Sequence, residues 1–143
     1  MIDSILTVCT GNICRSPFAE EILRTKLSGV CLGSAGIGAL VGEPADPLAI
    51  QVGGELGYDL QGHVARQIGG EHLRGCDLVL VMDDTHLGWI RTQFPEARGK
   101  VFLLGHWDGG AEVEDPYRHD EDFFRSVFRK IQDYSESWIG RLS

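Results

Sequence analysis

An apolar run ending in a cysteine, a short loop and the start of a helix follow one another in "ILTVCTGNICRSPFAEE", residues 5–21. A strand that feeds through so short a loop into a helix is half of an α/β unit, and this constrains the chain more than any other feature. Ser16 and Pro17 supply an N-cap and first-turn signal, with Glu20 and Glu21 expected in the first turn. Ile22, Leu23 and Leu27 then give an apolar face before Gly29. The same punctuation recurs downstream. Residues 30–36, "VCLGSAG", read as a second strand, and Pro47 to Leu56 as a helix that tolerates Gly53 and Gly54. The continuous apolar run "CDLVLVM", residues 76–82, suits a strand buried on both faces. Leu87, Ile90 and Phe94 predict a helix over 84–94, stopped by Pro95, and "KVFLL", 100–104, another strand. Phe124, Val127, Phe128, Ile131, Tyr134, Trp138 and Leu142 form a long helical stripe. Strand–helix alternation of this kind predicts an α/β sandwich with a four-stranded parallel sheet, expected as a single domain over residues 1–143. Ligands of such folds sit beyond the carboxyl ends of the strands, which is where Cys9 falls.

The chain has 143 residues, 43% of them hydrophobic and 24% charged, which is enough for one sizeable core. It shows neither an apolar stretch of spanning length nor a basic-then-apolar leader, so no membrane insertion and a cytoplasmic location are expected. The net charge of -8 makes nucleic acid and anionic membrane surfaces poor partners. Any bound phosphate must be held by a local site that overrides this field. The four cysteines, Cys9, Cys14, Cys31 and Cys76, are expected as free thiols in a reducing compartment. Cys9 and Cys14 are not a CxxC pair, and the nearest histidine is His63, so no zinc site or other metal is implied. Cys31 and Cys76 fall in predicted strands and read as packing residues. Trp89, Trp107 and Trp138 fit either core or interface.

Cys9 to Arg15 has the spacing C-x5-R, which alone is equally compatible with a packed cysteine and a surface arginine. The full string "VCTGNICRSP" says more. Gly11 permits positive φ and Asn12 tolerates it, so the backbone can curl into an anion-binding nest of N–H groups from Thr10 through Arg15. The following helix adds its unpaired amides and positive dipole end. Arg15 can clamp two phosphate oxygens. The same dipoles and guanidinium favour a thiolate at Cys9, and Ser16 can donate a hydrogen bond to the sulfur. The result would be a nucleophile beneath a bound phosphate, forming a cysteinyl-phosphate. A proton donor is then needed for the leaving group. Within the acidic, glycine-rich loop "DGGAEVEDPYRHDED", residues 108–122, Asp115 stands out through Pro116, which stiffens the chain, and Tyr117, which can stack on a substrate ring.

These residues resemble those of the low-molecular-weight protein tyrosine phosphatases. The likeness continues through "SAGIGALVGEPADP" (34–47), "GHVARQI" (62–68), "DLVLVMD" (77–83) and "DPYR" (115–118). "GALVG", "GKVFLLGHWD" and "DPYR" are most similar to the bacterial branch that works beside capsule and exopolysaccharide tyrosine autokinases. The resemblance implies a three-layer sandwich with strand order 2-1-3-4 and helices on both faces, and no cofactor. It implies that Thr10, Gly11, Asn12, Ile13, Cys14 and Ser16 build the phosphate loop around Cys9 and Arg15, and that Asp115 is general acid and then base. Ser34 and His63 match positions that hydrogen-bond Asn12. On residue type alone, His63 reads instead as a surface or packed histidine. Leu40 and Tyr117 match the cleft mouth, and Arg118 stands where some relatives have a second tyrosine. The implied partner is a phosphotyrosine protein, such as a membrane tyrosine autokinase, acted on by a monomer. Cys14 either fills space beneath the loop or captures oxidised Cys9 as a disulfide, and the resemblance supports the second role. Three alternatives stand beside tyrosine phosphatase. An arsenate reductase needs further downstream cysteines, and only Cys76 follows residue 31. A phosphoarginine phosphatase tends to carry threonine where this chain has Ile13. A non-catalytic phosphopeptide-binding module would not need Cys9, Arg15 and Asp115 together.

Overall fold

Four strands, β1 (Ser4–Cys9), β2 (Cys31–Gly36), β3 (Leu78–Val81) and β4 (Val101–Leu103), pair in parallel in the order β2-β1-β3-β4. The computed structural model describes residues 1–143. Five helices complete the fold: α1 (Arg15–Lys26), α2 (Pro47–Glu55), α3 (Gly70–Arg74), α4 (Asp84–Gln93) and α5 (Glu121–Leu142). A 3-10 turn, Pro95–Lys100, leads into β4.

Side-chain alternation along the strands explains why both faces are covered. Ile5 and Cys9 of β1 and Leu78 and Leu80 of β3 pack in one core with α1, α2 and α5. Leu6 and Val8, with Val79 and Val81, enter a second core with α3 and α4. β1 and β3 are thus buried on both faces, which is why "LVLV" shows no polar alternation. On the larger face, Phe18 of α1 stacks on Phe128 of α5 with centroids 4.2 Å apart, and meets Tyr58 edge-on.

Several local expectations change. α1 starts at Arg15 with Cys14 at its N-cap, so Ser16 lies inside the first turn and does not cap. Its hydroxyl is engaged by Cys9 and Asn12 instead. Glu20 and Glu21 fall beyond the first turn and pair with Arg24. The third strand begins at Leu78, leaving Cys76 buried just ahead of it rather than in it. Cys31 is in a strand but exposed, because it opens the edge strand β2. In the long stripe, Ser135 is buried while Tyr134 and Leu142 are only partly covered. Trp138 belongs to the core, its Nε1–H donating to the Leu104 carbonyl at 2.8 Å, whereas Trp107 is half-exposed under the Arg141 guanidinium. Gly53 inside α2 packs closely: a Cβ there would stand 3.2 Å from Leu60 Cδ1, a tight contact.

The Phe18 stack ties the helix that carries the loop to the longest helix of the fold. Phe18→Ala is expected to cost about 3–5 kcal/mol. Urea denaturation checks this, and a midpoint equal to the parent's would contradict it.

Candidate active site

The carbonyl ends of β1, β2 and β3 converge on the loop between Cys9 and Arg15. Every carbonyl from Cys9 to Ile13 is used by a group outside the loop. Cys9 O accepts from Ile37 N–H (3.0 Å), Thr10 O from Gly38 N–H (3.0 Å) and Gly11 O from Leu40 N–H (3.1 Å). Asn12 O accepts from His63 Nε2 at 2.6 Å and Ile13 O from Asp46 N–H at 2.9 Å. In a trans peptide the carbonyl and the following N–H point in opposite directions. Carbonyls turned outward therefore turn the N–H groups of Thr10 to Cys14 inward, and none of these five donates to another atom of the protein. Backbone amides without protein partners are uncommon, and five in succession, three of them on the buried residues Asn12, Ile13 and Cys14, mark a site built for an acceptor. The first turn of α1, with no side-chain cap, adds its own unpaired donors and dipole end.

The curl rests on Asn12, which has φ of 59°; Gly11 was expected to share this conformation but does not have positive φ. Asn12 is buried, and its side chain is fully engaged. Nδ2 donates to Ser16 Oγ (2.8 Å) and Ser34 Oγ (3.0 Å), and Oδ1 accepts from Arg66 N–H (2.9 Å). The Arg66 guanidinium in turn binds the Ser34 carbonyl at 3.0 Å. Because Ser16 Oγ accepts from Asn12, its own proton is free for Cys9 Sγ, 2.9 Å away.

Arg15 is buried, with 2% of its side chain exposed. Its NH1 donates to the Val113 carbonyl (2.8 Å) and to Asp83 Oδ2 (3.2 Å), while NH2 stands 3.8 Å from Asp115 Oδ2. Val113 donates its own N–H to Met82 O at 2.8 Å, so the end of β3 anchors the segment that carries Asp115. Asp115 Oδ1 accepts from Tyr117 N–H at 3.1 Å, which orients the half-exposed carboxyl.

Cys9, Thr10, Gly11, Ile13, Cys14, Arg15, Gly38, Leu40, Asp115 and Tyr117 line one cavity of about 150 Å³. A larger cavity, about 450 Å³, opens behind the loop beside Ser34, His63 and Arg66, but neither Cys9 nor Arg15 lines it. Arg118, expected at the mouth, is not among the lining residues of the smaller cavity. It has φ of 67°, and its guanidinium lies over the Tyr117 ring, 5.3 Å from the centroid. Cys9 and Cys14 are both buried free thiols. Burial, reinforced by Asp46, raises the Cys14 pKa far above the usual thiol value, so Cys14 stays protonated. No group of three or more His, Cys, Asp or Glu side chains is placed to hold a metal ion, and no helix is long and apolar enough to cross a membrane.

Asp83 and His86 take part in the site although the sequence pattern does not single them out. An aspartate directly after a doubly buried strand is the one available signal for Asp83. His86 is completely buried, with Nε2 2.8 Å from Thr10 Oγ1.

Residues 4–143 match the family profile described as "Low molecular weight phosphotyrosine protein phosphatase". The chain is 44% identical over 143 residues to the low molecular weight protein-tyrosine-phosphatase Wzb of Escherichia coli (strain K12), covering all of this chain and 97% of that protein. Etp of the same organism is also 44% identical, over 99% of this chain and 95% of its own length. The solved structure of the tyrosine phosphatase Wzb from Escherichia coli K30 in complex with sulphate superposes with a TM-score of 0.97 at 45% identity, covering 100% of both chains.

Gly36 tests how tightly the loop is held. A Cβ there would stand 2.3 Å from Thr10 O and 3.1 Å from Asn12 N, both backbone atoms that cannot swing aside. Gly36→Ala is expected to weaken inorganic phosphate binding by at least ~10-fold, a loss of about 1.4 kcal/mol. Isothermal titration checks this, and unchanged affinity in a folded variant would contradict it.

Proposed function

The chain belongs to the low molecular weight phosphotyrosine protein phosphatase family, and we propose that it hydrolyses protein phosphotyrosine with Cys9 as nucleophile, Arg15 as phosphate clamp and Asp115 as general acid and base. The observation that carries this reading is the row of five inward, unpaired amides set around Cys9 Sγ. Five N–H groups, a helix dipole and a guanidinium suit the oxygens of a tetrahedral dianion. A relative of nearly identical fold was solved with sulphate, which has the same shape.

In the first step the Cys9 thiolate attacks phosphorus, the P–O bond to tyrosine breaks, and protonated Asp115 gives its proton to the departing phenolate. Phenol has a pKa of about 10, so an unassisted phenolate leaves poorly. Cysteinyl-phosphate results, and its charge is held by the amides and Arg15. In the second step Asp115, now carboxylate, takes a proton from water as the water oxygen attacks phosphorus and the S–P bond breaks. Inorganic phosphate leaves and the thiolate returns. Arg15 and the amides supply the electrostatic stabilisation that a cation supplies in many phosphoryl-transfer enzymes. The resemblance favours Cys14, a free thiol lining the same cavity, as the group that condenses with Cys9 sulfenic acid with loss of water, a step that its raised pKa slows by keeping the thiolate scarce.

The substrate we favour is a tyrosine autokinase of capsule or exopolysaccharide production, met at the cytoplasmic side of the membrane. The likeness to Wzb supports this choice. Ile13, Leu40 and Tyr117 give the cavity apolar walls suited to a phenyl ring, which favours phosphotyrosine over phosphoarginine.

Cys9→Ser is expected to abolish hydrolysis of p-nitrophenyl phosphate and of phosphotyrosine peptide. Asp115→Asn is expected to lower kcat on phosphotyrosine by roughly 10²–10⁴-fold, with a smaller loss on p-nitrophenyl phosphate, whose leaving group needs less protonation. Steady-state kinetics checks both, and parent-like turnover by Cys9→Ser would rule out the covalent route. Arg118, exposed and paired with no carboxylate, is the cation beside the cleft and should favour peptides with acidic residues near the phosphotyrosine. Arg118→Ala is expected to remove that preference, about 2–5-fold in kcat/KM, while leaving neutral peptides unchanged. An unchanged acidic-to-neutral ratio would contradict this.

A further inference from the structure

Asp83 and His86 face each other across the first turn of α4 in a reciprocal arrangement. His86 N–H donates to Asp83 Oδ1 at 3.2 Å, and Asp83 N–H donates to His86 Nδ1 at 3.3 Å. Nδ1 stands 3.3 Å from the Asp83 backbone N and 3.2 Å from Asp83 Oδ1; we assign it as acceptor of the N–H, which puts the ring proton on Nε2, 2.8 Å from Thr10 Oγ1. Asp83, with Oδ1 occupied, presents Oδ2 to Arg15 at 3.2 Å. One ring therefore touches the first residue of the anion loop directly and the last through Asp83. His86 does not line the cavity and is fully buried, so it acts only through these partners.

We propose that His86 is a positioning residue of the phosphatase site: a neutral imidazole that sets the distance between the two ends of the anion loop, Thr10 and Arg15. The proposal rests on the tyrosine phosphatase reading for its kinetic consequence, though not for its geometry. Neutrality is part of the device. Burial and the nearby Arg15 cation push the His86 pKa down to about 4, so the ring keeps one donor and one acceptor. A bare packing role would ask only for volume. The two ring nitrogens instead satisfy a backbone N–H and a hydroxyl on separate segments of the chain, 76 residues apart in the Thr10 contact. Fixing both ends matters because the amides must keep their aim while charge redistributes on the phosphoryl group.

Three substitutions separate positioning from packing. His86→Leu keeps approximate volume and loses both bonds. His86→Gln offers an amide oxygen for Asp83 N–H and an amide N–H for Thr10, at nearly the spacing of the ring nitrogens. Thr10→Val removes the acceptor alone. His86→Leu is expected to lower kcat on phosphotyrosine peptide by ~10-fold or more with a smaller change in KM, and His86→Gln to return to within about threefold of the parent. Added to His86→Leu, Thr10→Val should cost little further, since both remove one interaction. The idea is overturned if folded His86→Leu stays within about twofold of the parent, or if Gln rescues no better than Leu. Should His86→Leu not fold, two readouts independent of turnover remain: inorganic phosphate affinity of His86→Gln and Thr10→Val, and the ring ¹⁵N–¹H spectrum. The parent should show His86 protonated on Nε2 and bare on Nδ1, with the Nε2–H resonance moved by Thr10→Val; a resonance that does not move overturns the proposal. Failure of the parent to hydrolyse phosphotyrosine would instead sink the functional reading and leave these measurements intact.

Discussion

The site depends on one buried side chain, Asn12, that leaves no polar atom idle. A residue held at positive φ without being glycine stores strain, and something must over-determine it. Here Ser16, Ser34, Arg66 and His63 do so together, through both side-chain atoms and the backbone carbonyl. The consequence passes along the chain in two ways. Asn12 carries the loop into its curl, in which five amides lie opposite their outward-bonded carbonyls. It also donates to one lone pair of Ser16 Oγ, which leaves that hydroxyl's proton for the sulfur of Cys9. The backbone curl and the hydrogen bond at Cys9 Sγ therefore both depend on a single side-chain amide. Loss of one member leaves buried donors or acceptors stranded, and such partly satisfied networks cost more than their separate bonds imply.

The parallel sheet explains how residues so far apart in sequence meet. All four strands end on the same side, so whatever follows each strand is delivered to one edge. After β1 comes the loop, after β2 the segment that binds its carbonyls, and after β3 Asp83 and the start of α4. Asp115 arrives differently. It follows no strand directly, and its segment is tied back through Val113, which bonds Met82 on one side and Arg15 on the other. Arg15 thus also ties down the segment that carries Asp115, which keeps the two side chains in register.

Most of the fold was legible because its signals are local and periodic. The buried strands, the Pro47 and Pro95 boundaries and the stripe of α5 follow from side-chain alternation and from what proline forbids. The five-residue α3 left no usable period, and the start of α1 was misplaced because Ser16 carries the chemistry of a cap but spends it on sulfur. The loop itself was legible because a nest needs particular residue types in consecutive positions. Asp83, His86 and Val113 were not, since a bond between residues 68 to 98 positions apart depends on packing that composition does not encode. Arg118 is read only in part from its sequence position: its guanidinium lies over the ring of Tyr117, which lines the cavity, while Arg118 itself does not, and its turn has positive φ.

A chain with net charge -8 that builds an anion cradle is less paradoxical than it first seems. Surface carboxylates act through water and salt, and beyond about 8 Å at physiological ionic strength their field is largely screened. The unpaired amides and Arg15 act at contact distance from inside a protein wall, where the effective dielectric is several-fold lower. Arg15 shares its charge with two carboxylates, Asp83 Oδ2 at 3.2 Å and Asp115 Oδ2 at 3.8 Å, and its remaining donors are not taken up by these one-oxygen contacts or by the Val113 carbonyl. Short-range fixed dipoles and the long-range acidic field therefore act on different scales. Extended polyanions present many phosphates to that surface and meet repulsion over their whole length, whereas a single phosphate on a protein side chain needs only to enter a cavity of about 150 Å³.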